Sequence, residues 1–512
     1  MLQLPFHSRL LTTLSSAMLG MLRDDPREFG IKVKERFRLA KIPVLSSSLN
    51  KYITKGNTQS PQRLLMKQGK LSEVLTYRGT DRSELLSRRA KETIEQLKAP
   101  ILKGKEMSSP VELTADPNAA NTPRVLFYLN NSLPHTQSGY TERTHNILTA
   151  LIDQGATVHA VTRLGYPLLV GKIPHHAVEK IDGVPYERII PTVYPRSLQA
   201  RDDEAVRQLV EVARRFKPTV LHTTTDYKNA LIVSRAANIL GIPWIYEVRG
   251  ELESTWLSRF PVEEQELASQ SDFYTLAHKQ ETNAMQMASA VISLSEVSKQ
   301  AMIKRGVAAS KIHVVPNAVD ESFIGKTYDK HEIRKELGLP DTTIIGSITS
   351  VVGYEGLDDL LRATALLPDV TCLIVGDGTA RPELENLANE LDISDRVIFA
   401  GRQPNNTIWK WYAALDVFAL PRKDTKVTRI VTPIKALIAQ ALNISIVASD
   451  LPALREITGN CEIYAKPNSV GSLANNIKLT LGTRKGDRKT IPTWLDNATL
   501  LIALYLSIQG RC

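Results

Sequence analysis

The chain has 512 residues and only three cysteines, Cys372, Cys461 and Cys512. They show neither CxxC nor metal-ligand spacing, which excludes a disulfide framework, and an unspaced odd count fits a reducing compartment. Cys372 stands inside an apolar run and reads as a small buried hydrophobe. Long apolar runs are also missing. Nothing approaches the roughly 20 residues that a membrane-spanning helix needs. Residues 10–22 are interrupted by Thr, Ser and Gly, and residues 500–506 are too few. The N-terminus has one early cation, Arg9, and no clean cleavage site, so it does not read as a secretion signal. The chain is therefore expected in the cytoplasm. No His, Cys, Asp or Glu group shows metal-ligand spacing, so no metal is expected. Pro, Gly and Ser runs of the disordered kind are absent.

What is present is ordinary in bulk and uneven in charge. Hydrophobic residues make up 43% and charged residues 23%, as in a folded soluble protein. The length calls for two or three domains. The net charge is +10, and nearly all of that excess lies before residue 121. A basic appendage on a neutral body points to an acidic contact, whether anionic lipid, nucleic acid or an acidic partner. The alternative is a solvated helical face rich in Lys and Arg.

Residues 1–120 read as helical but poorly periodic, with patches over 23–39, 62–77 and 81–97. Thr80-Asp81 before Glu84 forms a plausible N-terminal cap. Residues 108–121, rich in Ser, Pro, Asp and Asn, read as a linker. From Arg124 the pattern alternates strand and helix. Strands are expected at 125–129, 158–162, 220–222, 244–248 and around 288–294, and helices at 141–154, 206–216, 229–240 and 296–305. This βαβα succession predicts a doubly wound parallel sheet, and a second succession runs from Thr343 to Ala448.

Four strings fix the second half: His313-Val-Val-Pro-Asn-Ala-Val-Asp320, Leu373-Ile-Val-Gly-Asp-Gly378, Val397-Ile-Phe-Ala-Gly401, and Thr432-Pro-Ile-Lys435 leading into Val447-Ala-Ser-Asp450. Each apolar triplet runs into a turn residue, as at the carboxyl edge of a parallel sheet, where open α/β sheets bind ligands. In order and type the set resembles glycosyltransferase family 4, of the bacterial group 1 type. That resemblance implies a GT-B fold: two Rossmann-like domains facing a cleft, here preceded by an α-helical N-terminal extension. The expected divisions are 1–120 for the basic region and linker, 121–320 for the acceptor-side domain, 321–485 for the donor domain, and 486–512 for a crossover helix. An ordinary terminal helix is the other reading of 486–512.

The first loop, Asn130-Asn-Ser-Leu-Pro-His-Thr-Gln-Ser-Gly-Tyr140, is not GxGxxG, which disfavours a dinucleotide. In the family a glycine here lets backbone amides approach the donor phosphate, and Gly139 matches it, with Tyr140 opening the helix. The alternative is that Gly139 only permits a tight turn. Arg143 and His145 on that helix, with Glu281, are assigned to the acceptor side. Glu247 and Arg249 end one strand and point the same way, so Arg249 suits a phosphate or carboxylate and Glu247 an acceptor hydroxyl. A structural ion pair at the rim is the plain alternative.

In the second half Gly376, Asp377 and Gly378 match the family's Gly-Asp-Gly loop, and Gly401 with Arg402 the strand end that contacts the base. Lys435 is the strongest candidate. Transfer from a nucleotide diphosphate sugar expels a dianion, and without a metal, Lys, Arg and a helix N-terminus must neutralise it. Thr432-Pro433-Ile434-Lys435 sets the cation in the first helical turn, with Pro433 suited to the first helical position. Arg422, Lys423 and Arg429 cluster upstream, and a solvated basic loop is the alternative for them.

Aligned on Thr-Pro-Ile-Lys, the family's two donor-loop glutamates fall on Ile430 and Ile438. The resemblance implies a glycosyltransferase that moves a sugar from a nucleotide diphosphate sugar to a glycan or lipid-linked acceptor. It implies retention of configuration, no metal and no cofactor beyond the donor. Polysaccharide or glycoconjugate synthesis is the expected setting, with residues 1–120 docking on anionic membrane at its inner face; nucleic acid is not expected. The alternative is a degenerate GT-B protein that acts as scaffold or regulator of an active transferase. A nucleotide-sugar epimerase on the same fold is a third reading.

Overall fold

The computed structural model describes residues 6–24, 60–80, 82–105, 122–482 and 490–509. The expected linker over 108–121 and most of the helical patch over 23–39 lie outside these residues. Two compact units emerge. The first holds residues 1–292, 305–313 and 499–512, and the second 293–304 and 314–498.

The first unit is built on an eight-stranded sheet. Its strands are β1 (Arg124–Leu129), β2 (Thr157–Thr162), β3 (Val178–Ile181), β4 (Val184–Arg188), β5 (Val220–Thr224), β6 (Trp244–Val248), β7 (Ala290–Ser293) and β8 (Ile312–Val314), in the order β3-β4-β2-β1-β5-β6-β7-β8. β1 pairs in parallel with β2 and β5, and β5 with β6. Nearly every residue of β1 and β5 is buried, because helices cover both faces of a parallel sheet. Ser138 caps the helix Gly139–Asp153, and Gly241 in the left-handed region ends the helix Tyr227–Leu240.

Two features differ from the expectation. β3 and β4 form an antiparallel hairpin that periodicity did not reveal. Its turn is Asp182-Gly183, both with positive φ, which is the Asp-Gly chemistry of a tight hairpin. The helix Glu84–Lys98 is capped by Ser83, whose side chain accepts from the Leu86 N–H, and not by Thr80.

The N-terminal helical region precedes the sheet in the chain, and residues 60–105 group with the first unit. The Phe273 N–H donates to the Gly69 carbonyl and the Gly104 N–H to the Met287 carbonyl. Gln280 Nε2 donates to the Ala99 carbonyl at 2.6 Å, and Gln96 Nε2 to Asp202 at 2.8 Å. Leu71, Val74, Leu86, Leu97 and Ile101 are buried. Ahead of them the helix Phe6–Asp24 seats Leu10 against Leu168 and Ile190, while its Ser16 hydroxyl accepts from the Tyr194 N–H.

The second unit carries β9 (Thr343–Ile348), β10 (Val370–Val375), β11 (Val397–Gly401), β12 (Val417–Leu420), β13 (Ser445–Ser449) and β14 (Ile463–Ala465). All neighbours are parallel, in the order β11-β10-β9-β12-β13-β14. The chain leaves β9 toward one edge and returns beside it as β12. The loops after β9 and β12 therefore part in opposite directions, which opens a crevice at the carboxyl ends. The last helix, Trp494–Gln509, contributes Tyr505 to the first unit, where its hydroxyl meets His222 Nδ1 at 2.7 Å. Among the described residues no helix is long and apolar enough to cross a membrane.

Candidate functional site

The crevice of the second sheet holds a compact ionic cluster. Glu355 lies in the loop after β9, Arg422 directly after β12, and Lys435 at the start of the helix Ile434–Ala441. The Arg422 fork donates to Glu355 at 3.0 and 3.2 Å, and its remaining arm to the Val431 carbonyl at 3.0 Å. Lys435 Nζ donates to the Thr349 hydroxyl and lies 3.1 Å from Glu355. Burial alone would raise the Glu355 carboxyl, but Lys435 and Arg422 outweigh it and bring it down to about 2. Burial lowers the Lys435 ammonium, and Glu355 offsets part of that. The Glu355 side chain is 4% exposed and Arg422 7%, whereas Lys435 keeps 21%.

Close backbone approach shapes this crevice. A Cβ on Gly356, at φ +72, would stand 1.8 Å from the Pro421 carbonyl oxygen, and one on Gly376, at φ +136, 1.8 Å from that of Thr349. Only glycine lets these loops lie on each other. The Gly376 N–H donates to the Gly401 carbonyl, and the Asp377 carbonyl accepts from the Val351 N–H. Asp377 Oδ1 takes the Gly378 N–H at 2.9 Å, and Arg402 is exposed. Pro433 is the N-cap of the Lys435 helix rather than its first residue. The Lys435 amide is thus the second of the helix, where main-chain N–H groups are unused by the helix itself. Thr432 is buried, and its hydroxyl has no hydrogen-bond partner among the described residues. Arg429 stands apart: it is exposed and pairs with Asp424 at 2.5 and 2.6 Å. Ile430 and Ile438 are half-buried, and Ile438 packs against Val319, Leu437 and Ala441.

The first unit gathers a second cluster at its sheet's carboxyl edge. Arg143 Nε donates to Glu247 at 2.8 Å and Arg249 Nη2 at 2.5 Å. Arg249 also donates to the Thr144 hydroxyl at 2.6 Å and the Tyr140 carbonyl at 2.8 Å. His222 Nε2 lies 3.5 Å from Glu247. Burial by itself would raise Glu247; Arg249 and Arg143 hold it well below the usual carboxylate range. Burial also pushes the His222 imidazolium down, which favours the neutral ring. The pair Glu247 and Arg249 sits inside the fold rather than on a rim. Gly139 needs no special backbone, and a Cβ there would touch nothing within 4 Å, while Tyr140 is exposed beside it.

Residues 138–318 match the Glycosyl transferase 4-like domain, and residues 329–492 match Glycosyl transferases group 1. The chain belongs to the family-4-like, group 1 glycosyltransferases. It is 25% identical over 289 residues to a 2-deoxystreptamine glucosyltransferase of Streptomyces kanamyceticus, covering 54% of this chain and 72% of that enzyme. It is 38% identical over 116 residues to a GDP-mannose-dependent monoacylated alpha-(1-6)-phosphatidylinositol monomannoside mannosyltransferase of Corynebacterium glutamicum, covering 21% of this chain and 30% of that one. Sucrose-phosphate synthase from Thermosynechococcus elongatus shares its fold with TM-score 0.57 at 18% identity, over 75% of this chain and 94% of that one. Anabaena HepE, solved in complex with UDP, does so with TM-score 0.54 at 18% identity, over 75% and 97%. These likenesses show the paired Rossmann-like fold of the GT-B class.

The remaining candidates of this glycosyltransferase lie elsewhere in the first unit. His145 bridges the Tyr186 hydroxyl and Asp182, each at 2.9 Å, and so ties the helix Gly139–Asp153 to the β3–β4 hairpin. Glu281 is buried, accepting from the Tyr227 N–H at 2.8 Å and the Tyr246 hydroxyl at 2.5 Å. Burial, with Glu253 and Asp226 nearby, pushes its carboxyl up to about 8. Among the described residues no three His, Cys, Asp or Glu side chains are grouped to hold a metal ion. Sequence reasoning missed Glu355 and Thr349 as members of the Lys435 cluster. Neither carried a signal of its own, since both lie in the loop between β9 and the next helix.

Proposed function

We infer that this glycosyltransferase moves a sugar from a nucleotide diphosphate sugar to a glycan or lipid-linked acceptor. One observation carries the reading: Lys435, whose side chain is 21% exposed, stands at the switch point between β9 and β12, on the opening turn of a helix. An ammonium and free amides at a helix N-terminus suit the charge that develops on a departing diphosphate. The unpartnered Thr432 hydroxyl adds a donor beside them. Relatives described as a glucosyltransferase and as a GDP-mannose-dependent mannosyltransferase support a nucleotide-sugar donor. Retention of configuration, a metal-independent course and a place in polysaccharide or glycoconjugate synthesis follow from the family expectation. The test is titration with UDP, GDP, ADP and dTDP, followed by turnover of the matching nucleotide sugar. Lys435→Ala is expected to lower turnover about 10²–10³-fold while the melting temperature holds. Unaltered turnover removes Lys435 from the site.

Ile430 and Ile438 favour a second reading, a non-catalytic scaffold or regulator. Ile438 packs into an apolar cluster, at a position where the family resemblance expects a donor-loop glutamate. Failure of all four nucleotides to bind supports it.

We also propose docking on the inner face of an anionic membrane. The helix Phe6–Asp24 turns Leu10 inward, while Leu11, Met18 and Leu19 are exposed. Nearly all of the +10 net charge lies before residue 121. Each cation near such a surface adds about 1 kcal/mol, screened by salt. The full chain should co-sediment with phosphatidylserine vesicles at low salt and release at high salt. The triple variant Leu11→Ser, Met18→Ser, Leu19→Ser should bind less; equal sedimentation sinks the idea.

A further inference from the structure

Most cations around the second-sheet crevice are already committed. Arg429 is exposed on Asp424, and Lys423 meets Asp358 at 2.9 Å and Asp359 at 2.7 Å. Arg422 spends its fork on Glu355 and its other arm on the Val431 carbonyl. Lys435 differs. Two of its three N–H directions go to Thr349 and Glu355, and the side chain keeps partial exposure. A lysine has four rotatable side-chain bonds and sheds its proton readily when buried without a counter-charge. Something must hold this one in place and charged.

Glu355 is built for that. It is nearly sealed, and Arg422 grips both its oxygens. The next residue, Gly356, accepts a left-handed backbone that brings the loop within 1.8 Å, by its missing Cβ, of the Pro421 carbonyl oxygen. The carboxylate is therefore fixed from two sides, by the end of β12 and by the loop after β9. The other titratable neighbour is the buried Tyr412 phenol, held neutral by burial and by the Glu355 charge.

We propose that Glu355 is a positioning residue for the transfer reaction: it fixes the Lys435 ammonium beside Thr349, with one N–H direction left for a donor phosphate, and supplies the counter-charge that a buried ammonium requires. The proposal rests on the transferase reading. Glu355 does not touch the donor and acts through Lys435.

The experiment is a double-mutant cycle on the full chain, with nucleoside diphosphate binding measured first for UDP, GDP, ADP and dTDP. Turnover of the matching nucleotide sugar is then followed against pH for the parent, E355Q, K435A and the double variant. E355Q should lose on the order of tenfold in kcat, less than K435A. Its alkaline limb should move about 1–3 pH units lower, because an opposite charge that held the ammonium protonated is gone. In the K435A background E355Q should cost little more, since the residue it serves is absent. Unaltered kcat with an unmoved alkaline limb overturns the positioning role and leaves the transferase reading standing. Equal losses in both backgrounds overturn it as well, because they mark an effect on the fold. If E355Q does not fold, E355D carries the test: reduced kcat is expected, and parental kcat overturns the role. If no nucleoside diphosphate binds the parent chain, the transferase reading fails and the positioning role falls with it.

Discussion

Each sheet of this glycosyltransferase ends in one buried glutamate gripped by two cations, yet the two clusters differ in access. Around Glu247 everything is closed: its side chain is 1% exposed and those of Arg143 and Arg249 are each 3% exposed. Around Glu355 one cation stays partly open. The same chemical parts thus serve two ends. A sealed cluster can only hold elements together, joining the helix Gly139–Asp153 to strand β6 through Arg143. An open one can also present charge to a ligand. Both carboxylates are depressed, so their contribution is present above the ordinary carboxylate pKa, about 4.5, and lost as pH falls below it, for Glu355 through about 2. What separates them is the exposure that the Lys435 side chain keeps and the Arg143 and Arg249 side chains lack, not acidity.

The largest effect is expected at the sealed cluster. Glu247→Ala leaves two buried guanidiniums without a counter-charge, and breaking such a pair costs about 3–5 kcal/mol. Thermal or urea unfolding should show that loss. A near-parental melt would mean that water or a rearranged neighbour compensates, and the contrast between sealed and open would collapse. Lys435→Ala is the counterpart: it should damage turnover more than stability.

Glu281 tests the comparison from another side, as a buried carboxylate with no cation paired to it among the described residues. Its pKa stands near 8 in the folded chain, against an ordinary value of 4.5. Below pH 4.5 both states hold the proton and Glu281 has no pH-dependent effect. From 4.5 to 8 the unfolded chain releases the proton while the folded chain keeps it, so stability falls as pH rises. Glu281→Gln should therefore be more stable than the parent at pH 8, with the advantage shrinking toward pH 5. An advantage that does not vary with pH would show that Glu281 is paired after all.

The sequence revealed the frame better than its connections. Strands β8, β10, β11 and β13 were legible because apolar runs end in Gly, Asp or Pro, and β1, β2, β5, β6 and β7 because apolar strand runs alternate with helical ones. The β3–β4 hairpin was not, because four- and five-residue strands carry little periodicity, although Asp182-Gly183 announced the turn. Residues 60–105 looked like a separate basic region because their helices are weakly periodic; Gly69, Ala99 and Gly104 join the first unit through main-chain groups, which leave no side-chain signature. Lys435 could be read from the chemistry of a departing diphosphate. Glu355 could not, since a lone acid in a loop gains meaning only from what lies opposite it.

The smallest expected effect sharpens the open side. Ile438 lies one turn beyond Lys435 on the same helix, half-buried, so a carboxylate there would stand on the side of the helix that carries the ammonium. Ile438→Glu should strengthen nucleoside diphosphate binding, because a charged acceptor for ribose hydroxyls contributes about 1.5–3 kcal/mol per bond. The gain is opposed. Ile438 packs against Val319, Leu437 and Ala441, and a glutamate gives up that contact and places charge on an apolar surface. It also sets a second anion near Glu355 and Lys435. The net should be a modest rise in affinity for a ribonucleotide and less for its 2′-deoxy analogue, which has one hydroxyl fewer to offer. Calorimetry with UDP and dUDP, or the matching pair for whichever base binds, separates the outcomes. A rise that is equal for both analogues would mean that the new charge acts on the fold and not on the ribose. A fall for both would mean that the apolar contact outweighs the restored carboxylate, and that this site holds its nucleotide by other groups.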